Sequence, residues 1–170
     1  MSGVRTLQSS QHDRAVPRVR DSVETRPTCG GTLHSSLTLR FNLITIGACI
    51  LVAVGTATLP GAFPTLAWSL AAVFGVAAGD LQRRSIRAAG PRFRAAHTAT
   101  DVREALMSNV PGRLAVITQW VALPVLLAAA WWGGNLVAGA LGGYALFMAV
   151  RDLVALRAVM RLTTAADSGA

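Results

Sequence analysis

The chain has 170 residues, 52% hydrophobic and only 14% charged, with a mean hydropathy of +0.47, whereas a soluble domain carries about 25% charged residues; a soluble enzyme does not fit. All sixteen basic residues are Arg, against eight acids, giving a formal net charge of +8, and position decides what that charge is for. Segments 41–79 and 114–150 contain no Asp, Glu, Lys, Arg or His, so the basic excess marks a membrane surface, not a nucleic-acid partner.

Residues 1–40 are rich in Ser, Thr, Arg and Pro with no periodic apolar face, and read as a disordered basic tail. An Arg-rich, Lys-free tail of this kind is also what translation upstream of the true start in GC-rich DNA would produce. A basic region before an apolar run also begins a secretory signal, and Ile46-Gly47-Ala48-Cys49 loosely resembles a lipoprotein cleavage box. Forty residues is long for such a region, however, and Cys49 is followed by the apolar run Ile50 to Val54, so no cleavage is expected.

Each charge-free block is long enough for two spans of roughly 20 apolar residues, the number needed to cross about 30 Å of hydrocarbon. Phe41 to Leu59 is the first, closed by Pro60-Gly61. The second runs from about Phe63 to Gly79, with Pro64 tolerated in the first turn because the amide it lacks is unpaired there anyway. Leu114 to Trp132 is the third, with Pro124 expected to kink it, and Gly133-Gly134-Asn135 makes the turn. The fourth, about Leu136 to Val150, is short, and its helix is expected to continue past Arg151. The fold class is therefore all-α: a polytopic membrane protein with four transmembrane helices as two helical hairpins, 41–79 and 114–150.

The Arg positions orient it. Arg5, Arg14, Arg18, Arg20, Arg26 and Arg40 precede the first block. Arg83, Arg84, Arg87, Arg92, Arg94, Arg103 and Arg113 lie in segment 80–113, and Arg151, Arg157 and Arg161 lie in the tail 151–170. Neither tight turn holds one, so the positive-inside rule places both termini and the central segment in the cytoplasm. Trp131-Trp132 then falls at the outer interface and Phe41 at the inner one. A shift of 72 residues lays Ala67/Ala71 over Gly139/Gly143 and Asp80-Leu81 over Asp152-Leu153. Two hairpins of equal length align this way with or without common ancestry; a true duplication would be a parallel repeat.

Segment 80–113 reads as a cytoplasmic loop with short interfacial helices. Asp80 to Ala89 continues the second span until Gly90-Pro91. Another begins near Thr100 or Asp101, where Asp101 and Glu104 suit a helix N-terminus, and runs to about Asn109 before Pro111-Gly112. Arg83, Arg84, Arg87, Arg92 and Arg94 are candidate contacts for anionic lipid headgroups, although topology alone requires such an excess. Beyond the fourth span, Leu153, Leu156 and Met160 share a side with Arg157 and Arg161 nearby, a modest amphipathic helix for the membrane surface. A salt bridge between the two cytoplasmic helix ends, using Arg83 or Arg151, is the expected role of Asp80 and Asp152.

Ionisable groups within the spans would mark ion coupling or intramembrane catalysis; none is expected, since His12, His34 and His97 all lie outside. Gln119 is the most informative polar residue, because its amide needs a partner on another helix. With Ser69, Thr118 and Trp120 it could alternatively line a polar path. Small residues at four-residue spacing, Ala67, Ala71, Gly75 and Gly79 in span two and Gly139 and Gly143 in span four, predict that spans two and four meet, or that one of them meets a copy in a second subunit. Cys29 and Cys49 lie at different depths and do not form a CxxC, and Cys49 reads as a small buried hydrophobe. Asp80, His97, Asp101 and Glu104 are the one cluster from which acid/base chemistry could be built, and no spacing among them matches a catalytic or ligand pattern.

The expectation is an integral membrane protein, not an enzyme, with no cofactor and no metal. Its partners are expected to be a bilayer with anionic headgroups and a membrane protein or its own copies. An accessory or assembly subunit acting through helix contacts is the first reading. The protomer of an oligomeric transporter or channel is the second, and a membrane enzyme using the central loop the third. The Lys-free, Ala- and Arg-rich usage points to a GC-rich bacterium and so to its plasma (inner) membrane.

Overall fold

A computed structural model describes residues 30–59, 64–96 and 98–167. These form α1 (Gly30–Ala57), α2 (Thr65–Ala95), α3 (Ala99–Met107), α4 (Val110–Trp132), a π-helical segment (Val137–Gly142) and α5 (Gly143–Asp167), with no strand among the described residues. Three stretches are long and apolar enough to cross a membrane: Leu39–Ala57, Val110–Trp132 and Val137–Leu162. α2 falls outside this set because its apolar half ends at Gly79 and the helix runs directly on into Asp80, Gln82, Arg83 and Arg84.

The core is built of small residues and the surface of large ones. Ala67, Ala71, Ala78, Ala122, Ala130 and Ala158 are almost fully buried, while Phe41, Leu51, Trp120, Trp131 and Trp132 stand exposed. In water that arrangement would leave a large aggregation-prone surface. In lipid it is expected, because tails are as apolar as Leu and helices associate by bringing backbones close through small side chains.

The sequence suggests hairpins folded on themselves, and the structure corrects that packing. α1 and α2 barely touch, and α4 meets the fourth span mainly through the π-helical segment at its start and hardly through α5. Instead α5 lies between α1 and α2, and α2 lies between α5 and α4, giving the row α1, α5, α2, α4. Exchanging the two halves of the chain, α1 with α4 and α2 with α5, returns the same row. At its centre, a Cβ on Gly75 would lie 3.0 Å from the Phe147 carbonyl and one on Gly79 would lie 2.7 Å from that of Arg151. Both pairs are 72 residues apart, so residues in corresponding positions of the two halves face each other, as across a two-fold axis.

Local expectations are met at some positions and corrected at others. Helix α1 starts at Gly30, inside the tail taken as disordered; residues 1–29 lie outside the described residues, as does the Pro60-Gly61 turn. The expected break at Gly90-Pro91 is present: Gly90 (φ 12°, ψ −86°) is non-helical and kinks α2, and a further helical stretch follows it to Ala95. α3 ends at Met107, before Pro111-Gly112 as expected, and that dipeptide belongs to the next helix. It sits in the first turn of α4, where the missing proline amide needs no partner, the same rule that accounts for Pro64 just before α2. Residues 110–132 stay helical through Pro124.

The loop between α2 and α4 is held by named bonds. Thr98 Oγ1 accepts from the Asp101 amide at 3.1 Å and Asp101 Oδ2 accepts from the Thr98 amide at 2.9 Å, a reciprocal cap that starts α3. Asn109 Oδ1 caps α4 by accepting from Gly112 N at 2.9 Å, and its Nδ2 donates to the Ser85 carbonyl of α2 at 3.3 Å. Ser85 Oγ donates to the Leu106 carbonyl at 2.8 Å. A Cβ on Gly112 would lie 1.7 Å from that same carbonyl, so only glycine fits. At the opposite end Gly134 takes φ +74° in the turn after α4, and Asn135 Oδ1 accepts from Ala138 N at 3.1 Å.

Candidate functional site

Residues 145, 149, 152, 155, 156 and 159 recur at three- and four-residue spacing along α5 and are all buried, so this face is the one turned into the bundle. Five are apolar and the sixth is Asp152, 6% exposed. That overturns the expectation that no buried ionisable group is present: the charge-free block ends two residues earlier, at Val150, but the buried face of the helix continues past it. The signal was in the sequence, as an acid on an Ala/Leu/Val stripe.

A buried carboxylate has to be paired. Arg151 Nε and Nη2 both donate to Asp152 Oδ1 at 2.8 Å. Arg151 Nη1 reaches across to Gln119 Oε1 of α4 at 2.8 Å, and Gln119 Nε2 donates to the Tyr144 hydroxyl at 3.1 Å. The Tyr144 ring stacks on Phe147 with centroids 5.9 Å apart. One chain of charge and hydrogen bonds thus ties α4 to α5 where their backbones make little contact.

The expected bridge between Asp80 and the end of α5 does not form. Asp80 pairs with Arg83 and, at 2.7 Å, with Arg84 of its own helix, because i,i+3 and i,i+4 neighbours on α2 are nearer than any group across the seam. The hydrogen bond from Arg83 holds the Asp80 carboxyl below the usual carboxylate range.

Next to Arg151 lies a cavity of about 230 Å³ to which four helices contribute: Gln82 and Ser85 of α2, Arg103 and Leu106 of α3, Val116 and Gln119 of α4, and Arg151 itself. A smaller cavity of about 60 Å³ reaches the other side of the pair, between Asn42 and Asp152. Arg92 lines a separate cleft with Ala88, Pro91 and Asn109.

Of the residues suggested for a polar path, Gln119 lines the cavity of about 230 Å³. Thr118 Oγ1 donates back to the Leu114 carbonyl, Trp120 is 70% exposed on the outer face, and Ser69 is exposed near the far end of α2. Of the packing residues, Ala67 and Ala71 are buried in the core, and Gly75 and Gly79 lie against α5. Gly139 faces Ala130 of α4, whereas Gly143 faces Ala67 of α2. The intervening π-helical turn has i→i+5 spacing, so residues four apart there no longer share a face. The Trp68 indole donates to the Ala138 carbonyl of that turn at 3.0 Å. Arg83 and Arg84 are engaged by Asp80, while Arg87, Arg92 and Arg94 are exposed. Asp101 serves as a helix cap, Glu104 is exposed, and His97 lies outside the described residues. Among the described residues no three His, Cys, Asp or Glu come together.

Compared with known proteins, the chain matches no family model, no curated protein and no solved structure.

Proposed function

We propose that the chain is a four-span protein of the plasma (inner) membrane, with both termini and residues 80–113 in the cytoplasm, that works as an accessory or assembly subunit through its outer helix faces. Support for the fourth span comes from the row α1, α5, α2, α4. α2 occupies the position that corresponds to α5, which is apolar enough to cross, and it is flanked by α4 and α5, so it needs less apolar surface than a helix facing lipid on most sides. The Arg distribution supplies the orientation.

The observation that carries the assembly role lies on α1. A Cβ added at Gly47 or Gly55 would meet nothing within 4 Å, and the neighbouring Ala48 and Leu51 are exposed. Lipid gains nothing from a glycine, whereas a second helix can approach closely there. Because no contact among the described residues depends on either glycine, the two readouts are separable. Combined Gly47→Leu and Gly55→Leu replacement should leave the melting temperature of the purified protein unchanged while abolishing the partner bands formed by crosslinking in native membranes. An unchanged crosslinking pattern would refute the role assigned to this face.

A further inference from the structure

We infer that the cavity between α2, α3, α4 and α5 is a binding site for the phosphate headgroup of an anionic amphiphile, with its acyl chain lying along the outer face of α4. The argument starts from unspent hydrogen-bond donors. Arg151 has five N–H groups, of which three are used, two on Asp152 and one on Gln119, leaving two. Arg103 and Gln82 line the same cavity and make no hydrogen bond or ion pair with any described residue. With Arg151 neutralised by Asp152, Arg103 leaves the cavity one uncompensated positive charge. Guanidinium groups match phosphate oxygens in geometry as well as charge.

Size and surroundings select the amphiphile. At about 230 Å³ the cavity is below the roughly 300–1,000 Å³ that encloses a drug-sized ligand, so it holds a headgroup and leaves chains outside. Its wall includes Leu106, Met107 and Val116, and from Val116 a row of exposed apolar side chains, Trp120, Leu123 and Leu127, runs along α4 at four- and three-residue spacing. A chain attached to the bound phosphate lies against that row. None of the five arginines first considered for headgroup contact lines this cavity, and the site is the same whichever side of the bilayer this end of the bundle faces.

The test uses the full chain purified in a neutral detergent. Mass spectrometry of retained lipid, with phosphatidylglycerol and phosphatidylcholine offered in equal amounts, should show preferential retention of the anionic lipid. Arg103→Gln, which removes an exposed side chain without partners, should weaken phosphatidylglycerol binding at least tenfold, as expected for a lost charged hydrogen bond. Arg92→Gln, at the separate cleft, should cost no more than the roughly fivefold that one cation near an anionic surface contributes. Equal retention of the two lipids by the wild type, or equal losses in the two variants, would overturn the site. A second arm measures the melting temperature with inorganic phosphate alone. A rise matching that given by phosphatidylglycerol would assign the cavity to a soluble phosphate and overturn the lipid source.

Discussion

The glycines of α2 and those of α1 look alike as letters in an apolar run, and the structure gives them opposite surroundings. Gly75 and Gly79 are pressed against the α5 backbone, with room for hydrogen only, whereas Gly47 and Gly55 face outward with nothing above them. Within a bilayer both kinds avoid the cost of a bulky side chain at a helix contact, but only one contact is made inside this chain. The first pair therefore reports on the stability of the bundle and the second on what the bundle meets.

The sharpest way to break that comparison is to attack the central seam through its charge. Asp152→Ala leaves Arg151 buried beside an empty site and should destabilise the protein by about 3–5 kcal/mol, the range for half of a buried ion pair. Replacing both partners with apolar residues, Arg151→Met with Asp152→Leu, should recover most of that loss in thermal unfolding. If the single variant melts like the wild type, the pair is not buried as described.

A smaller effect is expected from the seam's own glycine. Gly79→Val places a Cβ 2.7 Å from the Arg151 carbonyl, and the α2 and α5 backbones have to separate, at about 1–3 kcal/mol for overpacking. A melting temperature within a degree of the wild type would show that the seam is looser than this geometry.

Smallest of all is Asp80→Asn, which removes two partly exposed intrahelical pairs worth about 0.3–0.5 kcal/mol each. The sign of the pH dependence follows from the lowered carboxyl: the contribution is complete above the ordinary aspartate range and disappears as pH falls through the depressed value of the folded state. The stability difference between wild type and variant should therefore vanish on acidification, and a difference that grows instead would mean that Asp80 has other partners.

Much of the secondary structure could be read from residues alone. Two uncharged blocks, Pro64, and the Gly133-Gly134-Asn135 turn place helix ends to within a few residues, because bilayer thickness and backbone pairing leave little freedom. Neighbour choice was harder. In residues 43–57 of α1 and 114–132 of α4 nearly every residue is apolar, so no amphipathic stripe says which side turns inward, and the row α1, α5, α2, α4 is decided by where alanine and glycine allow close approach. The π-helical turn before α5 was not readable either, since Val137–Gly142 carries no proline or polar residue to mark it. Part of the candidate site was present in the pattern: Gln119 announced a need for a partner on another helix. Asp152 stands two positions past an uncharged run and so falls outside a span drawn from that run, although spacing along α5 puts it among buried alanines.

Interleaving of the two halves has a consequence for how the chain is made. The first pair of long helices leaves the ribosome with its own interior vacant, since the place between α1 and α2 belongs to α5, the last helix to be synthesised. Until translation is nearly finished α1 has no native neighbour to close upon, whereas α2 can already pack on α4, and truncation before residue 137 would strand α1.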